Sequence, residues 1–255
     1  MTLELYHSAH STCSQKVRLC LAEKGLDWTP HELHFSSRDH LQPEYLKLNP
    51  NGVVPTLVHD GQPVIESSVI CEYLDDVYPE PALAPRDALG KAKMRAWLCY
   101  MNEVPTVAVR VPSFNRVFRP LRYEHMTGEQ FEKHVGDMPL RKAFYRRMGT
   151  RAGFGEAEYQ DALDKIRQTC GRIDAACEKD GGPWVLGDLF SIVDITLTPS
   201  IQRMDDLGYA HLWQDLPRMV QWWRDVRARP SFDVAFYPGT NLSDKYPQFF
   251  DKAGE

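Results

Sequence analysis

Four consecutive side chains, Ser11, Thr12, Cys13 and Ser14, offer hydroxyl or thiol groups where a strand pattern gives way to a helical one. The first turn of a helix leaves backbone N–H donors without intrahelical partners, so this cluster makes a site for an anion. Serine and threonine are also the preferred N-cap residues, and plain capping is the alternative for the cluster taken alone. Two further segments bear on the choice. Val54-Pro55 opens an apparent strand with a proline, which has no N–H for a ladder; a cis peptide in a tight turn would account for it. Such a turn would leave the Val54 N–H and C=O free to pair with an extended peptide by strand addition, the alternative being a simple edge-strand proline. Glu66-Ser67-Ser68 then sets an acid and two hydroxyls at another helix start, suited to the ammonium and carboxylate of an amino-acid end, again with capping as the alternative. Three such ends meeting at one edge of a small sheet would form a binding site.

The elements that must position these groups are legible from the hydrophobic period. Leu3, Leu5 and Tyr6 predict a short strand, and Val17, Cys20 and Leu21 share one face of a helix that ends at Gly25. Residues 28–35 alternate as a second strand, and Leu41, Tyr45, Leu46 and Leu48 predict a short helix stopping before Asn49-Pro50. Residues 54–58 and 63–65 flank Asp60-Gly61, a pair suited to a tight hairpin turn. A helix bearing Val69, Ile70, Tyr73, Leu74 and Val77 follows and closes at Pro79. The order predicts a small mixed sheet with helices on both sides, occupying residues 1–80. Residues 81–90, which include Pro81 and Pro85, read as a linker.

From 91 to 255 the strand signal disappears, and helical patterns run over about 91–110, 156–178, 191–206 and 215–229, which predicts an all-helical second domain. Ser191 and Asp194 have the spacing of a capping box, with Phe190 and Ile195 at the positions of a hydrophobic staple. Residues 104–155, interrupted by Pro112, Pro120 and Pro139, read as an insertion or extended arm. Its basic residues Arg141, Lys142, Arg146, Arg147 and Arg151 read as a solvated helix face, the alternative being a grip on carboxylates.

A chain of 255 residues with a formal net charge of -5 has no global pull towards nucleic acid or anionic membrane. The sequence has neither a spanning apolar run nor a leader-like start, so the expected location is the cytosol. Its six cysteines lack CxxC pairs or companion histidines at zinc spacing, so neither a disulfide framework nor a metal site is expected.

Three stretches in register, LYHSAHSTCSQKVRLCLAEKGL, LKLNPNGVVPTL and VIESSVICEYLDD, resemble the thioredoxin-like domain of the glutathione S-transferase superfamily. SIVDI and PRMVQWWRDVRARPSF resemble its helical C-terminal half. The resemblance implies an α/β plus all-α fold, a thioredoxin-like domain followed by a helical bundle, with glutathione as cosubstrate. Residue by residue it implies Ser11 as the hydroxyl donor to the glutathione sulfur, Cys13 as the thiol of the cysteine-bearing isomerases and reductive dehalogenases, and Ser14 as the serine of the lignin β-aryl etherases. Thr12 belongs to the same anion site. Val54 with Pro55 as the cis proline would pair with the cysteinyl part, Glu66 and Ser67 would grip the γ-glutamyl end, and His40 would lie near the glycine carboxylate. Val53 departs from the lysine or glutamine common at its place.

The long segment 104–155 resembles that of the bacterial β-aryl etherases, which implies a hydrophobic aromatic electrophile as second substrate and displacement of an aryloxide by sulfur. Met101, Val104, Val107, Val111 and Phe114 are then expected to line the apolar pocket, plain bundle core being the alternative for each. STCS equally resembles the reductive dehalogenases and isomerases that use Cys13, and a non-catalytic glutathione-binding protein is a third reading. The resemblance also implies a homodimer through the helices beginning near Ser67 and Lys91.

Overall fold

The computed structural model describes residues 2–250. Strand β1 (Leu3–His7) leads through the Ser8–Ser11 loop into helix α1 (Thr12–Glu23), and β2 (Thr29–Glu32) returns parallel to β1 with Glu4 opposite Thr29. Helix α2 (Pro43–Leu48) precedes the hairpin of β3 (Thr56–His59) and β4 (Gln62–Ile65), after which α3 (Ser67–Val77) closes the domain. The sheet order is β2-β1-β3-β4, with β3 antiparallel to both neighbours. Asp60 and Gly61 both take positive φ, 47° and 81°, as a two-residue turn matched to strand twist requires.

Alternation in β1 puts Leu3 and Leu5 into the core, while α1 is buried from Ser14 to Leu21 because it packs against α3 on one side and helices of the second half on the other. Tyr45 of α2 is buried, and its hydroxyl lies 2.6 Å from the Val53 carbonyl and 2.8 Å from the Thr56 hydroxyl. With Asn49 Nδ2, 2.9 Å from the same carbonyl, it braces the turn before β3.

The helical half opens with α4 (Ala88–Glu103), capped by Asp87, whose carboxylate accepts from Gly90 N at 2.8 Å. The helix therefore starts inside the stretch expected as linker. That stretch is anchored by the buried Lys24 ammonium, which meets Asp75 and the Tyr78 and Pro81 carbonyls. Segment 104–155 is a chain of short elements: α5 (Pro105–Ala108), α6 (Arg110–Ser113), a π-helix (Phe114–Tyr123), α7 (Gly128–Gly136) and α8 (Lys142–Met148). Pro105 ends the run of α4, and Glu124 N donating to Arg119 O at 3.0 Å shows the wide i→i+5 winding.

The bundle continues with α9 (Glu156–Asp180), α10 (Ile192–Asp206), α11 (Pro217–Arg227), α12 (Pro230–Ala235) and α13 (Leu242–Lys245). At the start of α10, Asp194 accepts from both the backbone and hydroxyl of Ser191 at 2.9 Å, with Phe190 and Ile195 buried beside them. No described helix is long and apolar enough to cross a membrane.

The two halves are joined by buried arginines. Arg18 of α1 donates to the Ala235 carbonyl of α12 at 3.1 Å and to the Ser8 and Ala9 carbonyls at 3.3 and 2.8 Å. Arg203 of α10 donates to the His10 carbonyl at 2.5 Å. The loop that delivers Ser11 is thus held from both sides.

Candidate active site

Ser11 is the N-cap of α1, its hydroxyl oxygen 3.3 Å from Ser14 N. That bond uses the oxygen as acceptor and leaves the hydroxyl hydrogen free to donate outward. Ser11, Thr12 and Cys13 are half-buried and face a cleft of about 1130 Å³, open mouth included. Ser14 does not face it. Its side chain is fully buried, and its oxygen accepts from Ser8 N at 3.3 Å, so the expected etherase-type role for Ser14 has no geometry here: one residue further along the first turn, the side chain has rotated inward to brace the loop.

Cys13 sits among positive charges. Burial pushes its thiol up, but Lys16, Arg141 and Arg110, together with a hydrogen bond from the Ser67 hydroxyl, pull harder and leave it below the usual cysteine value. Lys16, one turn along α1, is fully buried, and its ammonium meets the Thr106 hydroxyl at 3.3 Å. A buried cation whose one hydrogen bond among the described residues is to a neutral hydroxyl is costly, as is common where charge serves a site. Lys16→Met is therefore expected to raise the pH midpoint of Cys13 alkylation, followed by mass spectrometry, without lowering the melting temperature. The sign follows from the charge: a nearby cation keeps the thiolate to lower pH, and removing it moves the midpoint up. An unmoved midpoint would exclude Lys16 from the site's electrostatics.

The glutathione-side residues are placed as follows. His40 and Val54 line the cleft. The β3 ladder begins with Thr56 opposite Tyr6 and Ile65, so Val54 lies outside it with its backbone polar groups unclaimed by the sheet, and Val54-Pro55 is cis. Ser67 is buried at the start of α3 and reaches Cys13, while Glu66 is exposed beside it. Glu66 takes φ 70° and ψ 111°, a strained backbone for a non-glycine residue that concentrates at ligand sites.

The opposite wall belongs to the helical half. Of the five residues expected there, Phe114 lines the cleft, whereas Met101 and Val111 are buried in the core and Val104 and Val107 lie outside the lining. The reason is the winding. α4 ends at Val104 (φ −105°, ψ −80°), and beyond it α6 and the wider π-helix that follows bring Arg110, Phe114, Phe118 and Arg122 to the cleft. Phe35, Tyr123 and Tyr145 complete an aromatic lining.

The arm also reaches the first half directly. Arg38 pairs with Asp137 at 2.9 Å, and Pro139 lies so close to Gly52 that an added Cβ would sit 3.1 Å from it and 2.8 Å from Leu41 Cδ2. Three histidines of the cleft have ring nitrogens without hydrogen-bond partners among the described residues: both of His10, Nδ1 of His40 and Nε2 of His134. Burial, reinforced by nearby arginines, holds His10 well below the usual range and His40 down to about 4, so these rings are neutral at pH 7.

Sequence reasoning missed Lys16, His10, Arg110, Arg122 and Tyr145, while Arg141, read as part of a solvated face with a grip on carboxylates as the alternative, is exposed and also lines the cleft. Only Lys16 carried a signal, its i,i+3 spacing from Cys13.

Two family models match this geometry: the glutathione S-transferase N-terminal domain over residues 5–82 and the C-terminal domain over residues 156–225. The chain belongs to the glutathione S-transferase family. Glutathione is the cosubstrate of this family, and the free α1 N–H groups, the unclaimed Val54 backbone and the strained Glu66 fit it. Protein LigF of a Sphingobium species is 28% identical over 243 residues, covering 92% of this transferase and 93% of LigF. The crystal structure of β-etherase LigF superposes with a TM-score of 0.78, covering 92% of this chain and 99% of that one. A 2,5-dichlorohydroquinone reductive dechlorinase of Sphingobium indicum is 27% identical, covering 92% of this transferase and 83% of its own length. A maleylacetoacetate isomerase of Pseudomonas aeruginosa is 46% identical over 96 residues, 36% of this chain and 45% of that protein. Segment 83–155, which builds the aromatic wall, lies between the two family-model matches.

Proposed function

We propose that this transferase cleaves β-aryl ethers of lignin-derived type. The observation that carries the reading is an aromatic-walled cleft whose floor is the first turn of α1 with Ser11. Similarity to LigF along nearly the whole chain supports it. Bound glutathione supplies the sulfur nucleophile: a C–S bond forms at the carbon bearing the aryloxide as the C–O bond breaks, and the aryloxide leaves and takes up a proton.

The chain's own residues favour the charged form of that sulfur. A free thiol with pKa of about 8.5 is mostly protonated at neutral pH, and each unit of lowering requires about 1.4 kcal/mol. A hydrogen bond to a charged group contributes about 1.5–3 kcal/mol, so the Ser11 hydroxyl and the α1 N–H groups suffice together. Val54 pairs with the cysteinyl backbone, Pro55 shapes the turn that presents it, Glu66 and Ser67 hold the γ-glutamyl end, and His40 lies at the glycine end. The aromatic wall excludes water. A homodimer through α3 and α4, where Val69 and Leu89 are exposed, and residence in the cytosol belong to the same reading.

A second reading is favoured by one observation, the depressed Cys13 thiol at the cleft: reductive dehalogenation or isomerisation, in which Cys13 rather than Ser11 is indispensable. Incubation of the pure protein with glutathione and a panel of β-aryl ether dimers, chlorinated hydroquinones and maleylacetone, with products identified by mass spectrometry, separates them. A phenol plus a glutathione adduct is expected. Chloride or an isomer without ether cleavage would transfer the assignment to Cys13.

A further inference from the structure

The described residues that line the cleft include no aspartate or glutamate, yet four arginines reach it: Arg110, Arg122, Arg141 and Arg203. Arg203 is committed to the His10 carbonyl. The guanidinium groups of Arg110 and Arg122, partly buried, and of Arg141, exposed, have no hydrogen bond or ion pair to any described residue. Their neighbours in the same segment do: Arg119 pairs with Glu124 and Arg146 with Glu132, and Arg116 donates to the carbonyls of Phe249 and Leu207. A guanidinium left without an acceptor in a partly buried place awaits a carboxylate, with which it forms paired charge-assisted hydrogen bonds.

The three divide by position. Arg122 lies over the Phe35 ring at 5.9 Å and acts on His40, on the side assigned above to the glycine carboxylate of the cosubstrate. Arg110 and Arg141 act on Cys13 and on Tyr145, across the cleft on the wall of the helical half. Burial lowers Arg110 to about 10, so it stays a cation at neutral pH. The Tyr145 hydroxyl is pushed up by burial and remains a neutral donor.

We infer that the electrophile is an aromatic compound bearing a carboxylate, held by Arg110 and Arg141 with the Tyr145 hydroxyl while its rings lie against Phe114 and Phe118. This rests on the glutathione transferase reading for the position of the sulfur, but the anion preference is a property of the wall itself. A neutral aromatic ether would leave the partly buried Arg110 guanidinium, and Arg141 beside it at the cleft, without an acceptor. A carboxylate at the ring's far end would fix the substrate's orientation, so that its reacting carbon faces the α1 turn.

The test compares two unreactive aryl ethers of the same shape, 4-phenoxybenzoate and 4-phenoxybenzamide, by calorimetric titration into the full-length protein with and without saturating glutathione. Glutathione itself is titrated first, and no binding there would sink the transferase reading without touching the comparison that follows. The acid is expected to bind at least about tenfold more tightly than the amide, the size of one charge-assisted hydrogen bond. Arg110→Met and Arg141→Met should each lower that ratio several-fold, and the double variant should bring it near one, with glutathione affinity changed far less than acid affinity. Equal binding of acid and amide to the native protein overturns the inference. So does a fall in glutathione affinity as large as the fall for the acid, because the arginines would then serve the cosubstrate. Should the double variant not fold by circular dichroism, the native ratio and the single variants decide.

Discussion

Asp194→Ala is expected to lower the stability of the whole protein by at least about 3 kcal/mol, the largest effect of any single substitution considered. Its carboxylate is fully buried and accepts from Val185 N at 3.1 Å, Ser191 N at 2.9 Å, the Ser191 hydroxyl at 2.9 Å and Trp222 Nε1 at 2.8 Å. Alanine would leave all four donors buried without a partner, at about 1–3 kcal/mol each when nothing relaxes. Water entering the gap would recover part of this, which is why the expectation stays near the lower end. For a chain of this size about 3 kcal/mol corresponds to roughly 6–12 °C in melting temperature. Asp194→Asn keeps one acceptor and turns the other into a donor facing donors, so an intermediate loss is expected. Thermal and denaturant unfolding measure both, and a loss under about 1 kcal/mol for alanine would reduce Asp194 to an ordinary cap.

The second large effect is on chemistry. Ser11→Ala is expected to cut turnover by about 10- to 100-fold, the equivalent of one hydrogen bond to a charged sulfur, while leaving retention on immobilised glutathione largely intact, because the contacts proposed for Val54, Glu66 and Ser67 do not involve Ser11. Ser11 also caps α1, so alanine should cost about 1 kcal/mol of stability as well. Glycine separates the two roles, since it replaces a capping serine at a cost of only about a few tenths of a kcal/mol. Ser11→Gly should therefore lose activity with little loss of stability. The pH dependence of thiolate absorbance in the glutathione complex is the direct readout. Removing the donor should raise the midpoint by about one unit or more, and an unmoved midpoint would take the role from Ser11.

Much of the fold and part of the site could be read from the residues because those signals are local. Asp60-Gly61 between two apolar stretches determines a hairpin without reference to the rest of the chain, and Ser191 and Asp194 mark a helix start for the same reason. The cluster at 11–14 was recognisable as a helix terminus, but which of its members face the cleft depends on a rotation of about 100° per residue from an exact starting point. Ser14 shows the consequence: a shift from Ser11 that keeps it in the same turn points it at Ser8. The far wall was misread through its period. Spacings of three and four assume one continuous α-helix, whereas α4 stops at Glu103 and the chain restarts as the short α5 and α6 before the wider winding of residues 114–123; Met101 and Val111 lie in the core while Arg110 and Arg122 line the cleft. Arg141 and Arg146 are both exposed, and of the two only Arg141 also borders the cleft, next to the part of the arm that packs on Gly52.

The buried arginines Arg18 and Arg203 bear on how such a chain can change. Both spend their donors on carbonyls of the 8–10 loop, and one of them reaches it from α10 while the other ties the loop to α12. The residue proposed to address the sulfur is therefore aligned by helices beyond its own domain. A chimera that grafts the first 80 residues onto a foreign bundle would inherit Ser11 and Cys13 but not their alignment. A new electrophile is more readily reached by redrawing the segment between α4 and α9, which leaves both arginines and their acceptors where they are.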